Sequence, residues 1–153
     1  MVSVPIGGLA TASGTGSLRT FLGSCVGVAI YDRRLRLGGL AHVLLPDSQG
    51  NDSQPGKYAD TAVPFLVDEL TRLARGAELR LTARLVGGAK MFAFQTGPTV
   101  GDRNVAALEV CLATAGIPIV ARDCGGSKGR HMTIEIPSGQ ITVESVGMPP
   151  TFL

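Results

Sequence analysis

Several stretches of the chain alternate apolar and polar or small residues with period two, and others repeat apolar residues at helical spacing. Residues 26–31 and 35–45 read as two strands, and 79–86 as another. Residues 61–75 place Val63, Leu66, Val67, Leu70, Leu73 and Ala74 on one helical stripe, with Pro64 expected in the first turn, where no N–H is needed. A second helix is expected over about 103–115, with Asp102 capping its start and Gly116 its end. Residues 117–122 suit a strand. The alternating runs 132–136 and 140–146 flank Pro-Ser-Gly and predict a hairpin. The order strand, loop, helix, strand over 79–124 is long enough for a crossover unit. Together these elements predict an α/β (α+β) fold: mixed, largely antiparallel sheets packed with two main helices.

The intervening segments are polar or rich in turn formers. Residues 8–17, rich in Gly, Ser and Thr, are expected to form a loop, and 47–57 (DSQGNDSQPGK) is the clearest loop of the chain. Residues 147–153 contain Pro-Pro and are expected to form a tail. No domain boundary is apparent, so residues 1–153 read as one domain. Val-Gly-Gly-Ala-Lys at 86–90 and Cys-Gly-Gly-Ser-Lys at 124–128 echo one another, each after an expected strand.

Composition narrows the function classes. The chain has 153 residues, 44% hydrophobic and 17% charged, which suits a packed globular protein. Its net charge of +2 is spread along the chain apart from Arg33, Arg34 and Arg36, which argues against a nucleic-acid binder. No apolar run reaches the ~20 residues of a membrane span, and the N-terminus lacks the pattern of a secretory signal. The three cysteines, Cys25, Cys111 and Cys124, form no CxxC and suit a reduced, cytoplasmic protein. With only His42 and His131 and no ligand-like spacing, neither a metal nor a cofactor is expected.

The candidate chemistry lies in residues 22–46. A hairpin centred between Arg33 and Arg34 puts Cys25 directly opposite His42, with Cβ atoms about 4.5–5.5 Å apart. In that register Val26, Val28 and Ile30 face the core beside Leu37, Gly39 and Ala41. Cys25, Gly27, Ala29, Gly38, Leu40 and His42 share the other face, where the small residues leave room for a substrate. A one-residue slip would separate Cys25 from His42. Thiolate is a nucleophile, and imidazole can take and return its proton, so the pair suits acyl transfer. Gly23 and Ser24 could offer backbone N–H groups to an oxyanion. The same residues also suit structure: a cysteine beside glycine in an apolar strand fits a small core position, and a strand histidine fits a hydrogen-bonding role. Cys111, Cys124 and His131 read as structural or surface residues.

LGSCVGVAIYD followed by GGLAHVLLPD resembles the chemoreceptor glutamine deamidase family, CheD. The likeness continues through Lys57-Tyr58-Ala59-Asp60, Gly87-Gly88-Ala89-Lys90-Met91-Phe92, Gly101-Asp102-Arg103-Asn104, Gly116-Ile117-Pro118 and the run 123–130. It implies a fold of packed sheets and helices similar to deamidating bacterial toxins, with Cys25 as nucleophile and His42 as base. It implies hydrolysis of glutamine side chains to glutamate on the cytoplasmic helices of methyl-accepting chemotaxis proteins, in some members with glutamyl methylesterase activity. It further implies binding to a CheC-type response-regulator phosphatase. The family's catalytic threonine stands six residues before the cysteine, where this chain has Arg19. Thr20, one position later, is the nearest candidate. A regular strand would turn it to the wrong face, so a bulge is needed; otherwise a backbone carbonyl or another side chain orients the histidine and Thr20 is a plain strand threonine. The glycine turns at 87–88 and 125–129 and the loop 47–57 could line a receptor cleft, or serve only as turns and surface loop.

Overall fold

The computed structural model describes residues 1–91 and 96–153; Phe92, in one of the family-like stretches, lies outside them. In chain order the elements are β1 (Val2–Ser3), β2 (Leu9–Ser13), β3 (Ser17–Leu22), β4 (Val26–Asp32), β5 (Leu37–Val43), α1 (Ala59–Leu73), β6 (Thr82–Gly87), α2 (Val100–Thr114), β7 (Ile119–Cys124), β8 (Arg130–Glu135), β9 (Ile141–Glu144) and β10 (Thr151–Phe152). One sheet has the order β2-β5-β4-β6-β7 and the other β1-β3-β8-β9-β10. Pairing is antiparallel except for β1 with β3 and β6 with β7. This is the expected mixed α+β fold.

Every residue of β4 and β5 is buried, because their sheet is covered on both faces. Val26, Val28, Ile30, Ala41 and Val43 pack with Leu66 and Leu70 of α1 and Leu108 and Leu112 of α2. Cys25, Ala29, Tyr31 and Leu40 pack instead with Leu18, Leu22, Met132 and Ile134 of the second sheet. The layers are therefore helices, sheet, sheet, and the face carrying Cys25 lies at the junction of the two sheets.

The expected crossover over 79–124 forms, with β6 and β7 joined through α2 as parallel neighbours. The two echoing glycine turns consequently lie side by side. Gly125 N–H donates to the Gly87 carbonyl (2.9 Å), and Lys90 N–H to that of Gly126 (2.8 Å). The hairpin after residue 130 also forms.

Several expectations need correction. Residues 8–17 are not one loop: β2 occupies Leu9–Ser13 and pairs along β5. Residues 147–153 are not a free tail, since Thr151–Phe152 adds an edge strand to β9. Pro is compatible with that return because the ladder begins only after Pro150. Helix α1 starts at Ala59, so Pro64 falls in its second turn, where it forgoes one backbone bond. Helix α2 is capped by Thr99, not Asp102. Asp102 is the third helical residue of a capping box, its backbone N–H bound by the Thr99 side chain and its carboxylate returning to Thr99 N–H. Gly116 follows that helix with φ 73°, as expected.

Candidate active site

The β4–β5 hairpin turns through residues 33–36, so that Asp32 pairs with Leu37 and Gly27 with His42. This register is shifted by two residues from the sequence expectation. The cause is local. The Asp32 carboxylate accepts the Leu35 N–H (2.8 Å), and Arg36 adopts φ 54°, which together build a four-residue loop one position further along. An even shift preserves the face. Cys25, just before β4, and His42 therefore remain on the same side as diagonal neighbours, a relation that spans about 7–8 Å between Cα atoms. They are not directly opposite.

The room expected on that face is filled. A Cβ on Gly27 would sit 2.7 Å from Met132 Sδ and 3.0 Å from Leu22 Cδ1, and one on Gly38 2.8 Å from Ile136 Cδ1. Gly27 is thus a close-packing residue between the sheets and not a wall of an open cleft.

Thr20 corrects the expectation of a bulge. β3 pairs with β8 in unbroken register from Ser17 to Leu22, and Leu18, Thr20 and Leu22 all point inward. Thr20 Oγ1 donates to the Val4 carbonyl (2.7 Å) and lies 2.7 Å from His42 Nδ1. Because β3 belongs to the second sheet, it faces the histidine across the sheet junction, and position in the regular strand suffices. The threonine hydrogen is committed to Val4, so the hydroxyl presents a lone pair to the ring. Accepting there from Nδ1–H would leave the lone pair on Nε2. Nε2 is buried and has no hydrogen-bond partner among the described residues.

Cys25, His42 and Thr20 are 7%, 2% and 4% exposed. Burial raises the Cys25 thiol pKa and lowers that of His42. At neutral pH both therefore rest uncharged, a thiol and an imidazole, and no hydrogen bond joins them. Burial likewise raises Cys111 and Cys124. His131 lies in β8 against Phe21, ring centroids 4.8 Å apart.

The glycine turn after β6 holds the cysteine. Gly88 N–H donates to the Cys25 carbonyl (2.8 Å) and Ala89 N–H to that of Gly23 (2.9 Å). A Cβ on Gly87, which has φ 108°, would run into the Cys25 carbonyl. Among the described residues, the N–H groups of Gly23, Ser24 and Cys25 are given to no backbone carbonyl. The sequence marked this turn by its paired glycines but did not connect it to the cysteine. A backbone carbonyl was among the expected alternatives for orienting the histidine, but a main-chain oxygen has no residue signature that could point to Val4. Among the described residues, no three His, Cys, Asp or Glu side chains gather as a metal site.

A family model described as CheD chemotactic sensory transduction matches residues 44–145, two thirds of the chain. The chain belongs to the CheD family. Similar CheD proteins extend the match beyond that span. The "Chemoreceptor glutamine deamidase CheD" of Thermotoga maritima is 43% identical over 145 residues, 94% of this chain and 91% of the relative. A "Probable chemoreceptor glutamine deamidase CheD" of Clostridium botulinum (strain Alaska E43 / Type E3) is 42% identical over 96% of this chain and 94% of its own length. That of Desulforamulus reducens is 44% identical over 84% and 80%. Among the described residues no helix is long and apolar enough to cross a membrane.

Proposed function

We propose that this chain hydrolyses glutamine side chains of chemoreceptors to glutamate, with Cys25 as nucleophile, His42 as general base and acid, and Thr20 orienting the imidazole. The observation that carries the reading is the buried relay from Val4 through Thr20 to His42, a residue on the same sheet face as Cys25 whose Nε2 has no hydrogen-bond partner among the described residues. The CheD names of its relatives supply the substrate class.

Each step follows from that arrangement. Cys25 Sγ attacks the carboxamide carbon while its proton passes to His42 Nε2. Apo catalytic hydrogen bonds are often long and tighten with substrate, which suits a diagonal pair. The oxyanion is held by N–H groups of residues 23–25, whose carbonyls at 23 and 25 are already pinned by the 88–89 turn. The imidazolium protonates the departing nitrogen and ammonia leaves, giving a thioester. Nε2 then deprotonates water, which attacks the thioester, and the thiolate departs as the carboxylate forms. A glutamyl methyl ester would enter the same path with methanol as the leaving group. No metal or cofactor takes part, so chelators leave the rate unchanged.

The substrate groups are glutamines on the cytoplasmic helices of methyl-accepting chemotaxis proteins. A CheC-type phosphatase would compete with the receptor for this chain. The chain works in the cytoplasm as one domain. The test is peptide mass spectrometry of a recombinant receptor cytoplasmic fragment after incubation with wild type or Cys25→Ala. Amide-to-acid conversion at defined glutamines, absent with Cys25→Ala, supports the proposal. Binding without conversion by the wild type overturns it in favour of a receptor-binding module.

A further inference from the structure

A threonine hydroxyl can either donate to an imidazole nitrogen or accept from it, so Thr20 by itself does not choose between the two neutral forms of His42. If the hydroxyl donates to Nδ1, the ring proton moves to Nε2, and that nitrogen can no longer take a proton. The Val4 carbonyl removes that freedom, because it can only accept, and at 2.7 Å it claims the single hydroxyl hydrogen. Resting on the proposed reaction, we propose that the Val4 main-chain carbonyl is a positioning group: it selects the tautomer in which His42 can act as a base.

The N-terminal segment is built to hold that oxygen in place. Val4 precedes Pro5, which keeps it extended, and Val4 N–H donates to the Arg19 carbonyl (2.7 Å). Gly8 N–H closes a turn onto the Pro5 carbonyl (2.8 Å). The same turn grips the histidine backbone on both sides. Gly7 N–H donates to the His42 carbonyl (3.0 Å), and His42 N–H donates to that of Gly8 (3.0 Å). Behind it, a Cβ on Gly56 would lie 2.5 Å from the Gly8 oxygen, so the turn has no space in which to retreat. One short segment thus fixes the histidine's main chain and, through Thr20, its proton.

Pro5 makes a clean test available, since it carries no N–H. Replacing Pro5 by lactic acid turns the Val4 amide into an ester, whose carbonyl is a weaker acceptor, without deleting a donor. The full chain can be assembled by ligating a synthetic 1–24 segment to residues 25–153 at Cys25. The ligated Pro5→Ala chain keeps the amide and reports the effect of losing the ring. Nitrogen chemical shifts of His42 are read at a pH where the ring is neutral, and kcat and KM are read on the receptor fragment. Relative to Pro5→Ala, the ester chain is expected to shift His42 from the Nδ1–H form toward a mixture and to lose roughly three- to tenfold in kcat at unchanged KM. In a Thr20→Val background the ester is expected to add no further loss. An unchanged tautomer ratio, or an equal loss in the Thr20→Val background, would overturn the inference. The nitrogen shifts need no substrate: a tautomer change in a chain that converts no glutamine would leave this inference standing and remove the deamidase reading.

Discussion

Replacing Thr20 by valine separates a catalytic threonine from a merely structural one. Valine keeps the β-branched shape and approximate volume of the side chain, so it opens no large cavity in β3. It deletes the hydroxyl that joins the Val4 carbonyl and His42 Nδ1, each at 2.7 Å, at a site only 4% exposed. Two buried polar groups then face a methyl group. A lost hydrogen bond contributes about 1 kcal/mol net, and an unsatisfied buried group costs about 1–3 kcal/mol, so destabilisation of about 2–4 kcal/mol is expected. Freed from Thr20, the imidazole can also rotate or exchange its tautomer. Its work as general acid and base, on the order of 10²–10⁴-fold in rate, is then largely lost. Thr20→Ser keeps the hydroxyl and is expected to recover most of kcat. The assay pairs urea denaturation with the rate of glutamine conversion in the receptor fragment. A valine variant that loses stability but keeps the wild-type kcat under folding conditions would refute the relay and leave Thr20 as a strand residue.

Gly27→Ala pushes a methyl between Met132 and Leu22, both fully buried, and is expected to cost about 1–3 kcal/mol in urea denaturation; unchanged stability with a raised KM would return Gly27 to a substrate cleft. Gly87→Ala combines φ 108° with a clash against the Cys25 carbonyl, and is expected to cost more than about 1–2 kcal/mol and to abolish conversion, read by the same two assays. Because burial lowers His42, the acid limb of kcat/KM is expected to fall below about pH 6.5. The unfolded chain binds the His42 proton more readily than the folded one, so stability from this group declines as pH falls through about 6.5, and His42→Gln flattens that slope in urea titrations. With the Cys25 thiol raised and no imidazolium beside it, iodoacetamide labelling of Cys25 should be slow at neutral pH and accelerate above about pH 8.5; rapid labelling at pH 5–6 would reveal a resting ion pair instead.

Elements whose signal is carried by side chains were legible in the sequence. The stripe of α1, the alternation in β4 and β5 and the crossover through α2 all emerged as read, within two or three residues at most boundaries. Features built from backbone geometry were harder to see. The Asp32 turn moved the hairpin by two residues, so Cys25 and His42 are not directly opposite, but an even shift leaves both on one face. The small residues Gly27 and Gly38 suggested space, but in a sheet covered on both faces a glycine marks where the next layer comes closest. Thr20 seemed one position out of phase because the comparison counted along the chain from the cysteine. Its partner is His42, reached across the sheet junction. Edge strands β1, β2 and β10 escaped because runs of two to five residues carry too little periodicity.

The deamidation proposed for this chain requires a covalent bond between Cys25 and the glutamine side chain. Once a converted glutamine is known, a receptor fragment carrying a diazoketone analogue at that position would alkylate the attacking group, and tryptic mapping would identify it. A single cross-link at Cys25 is expected, strongly reduced by Thr20→Val. A cross-link at Cys111 or Cys124, or glutamine conversion by a chain that forms none at Cys25, would contradict it.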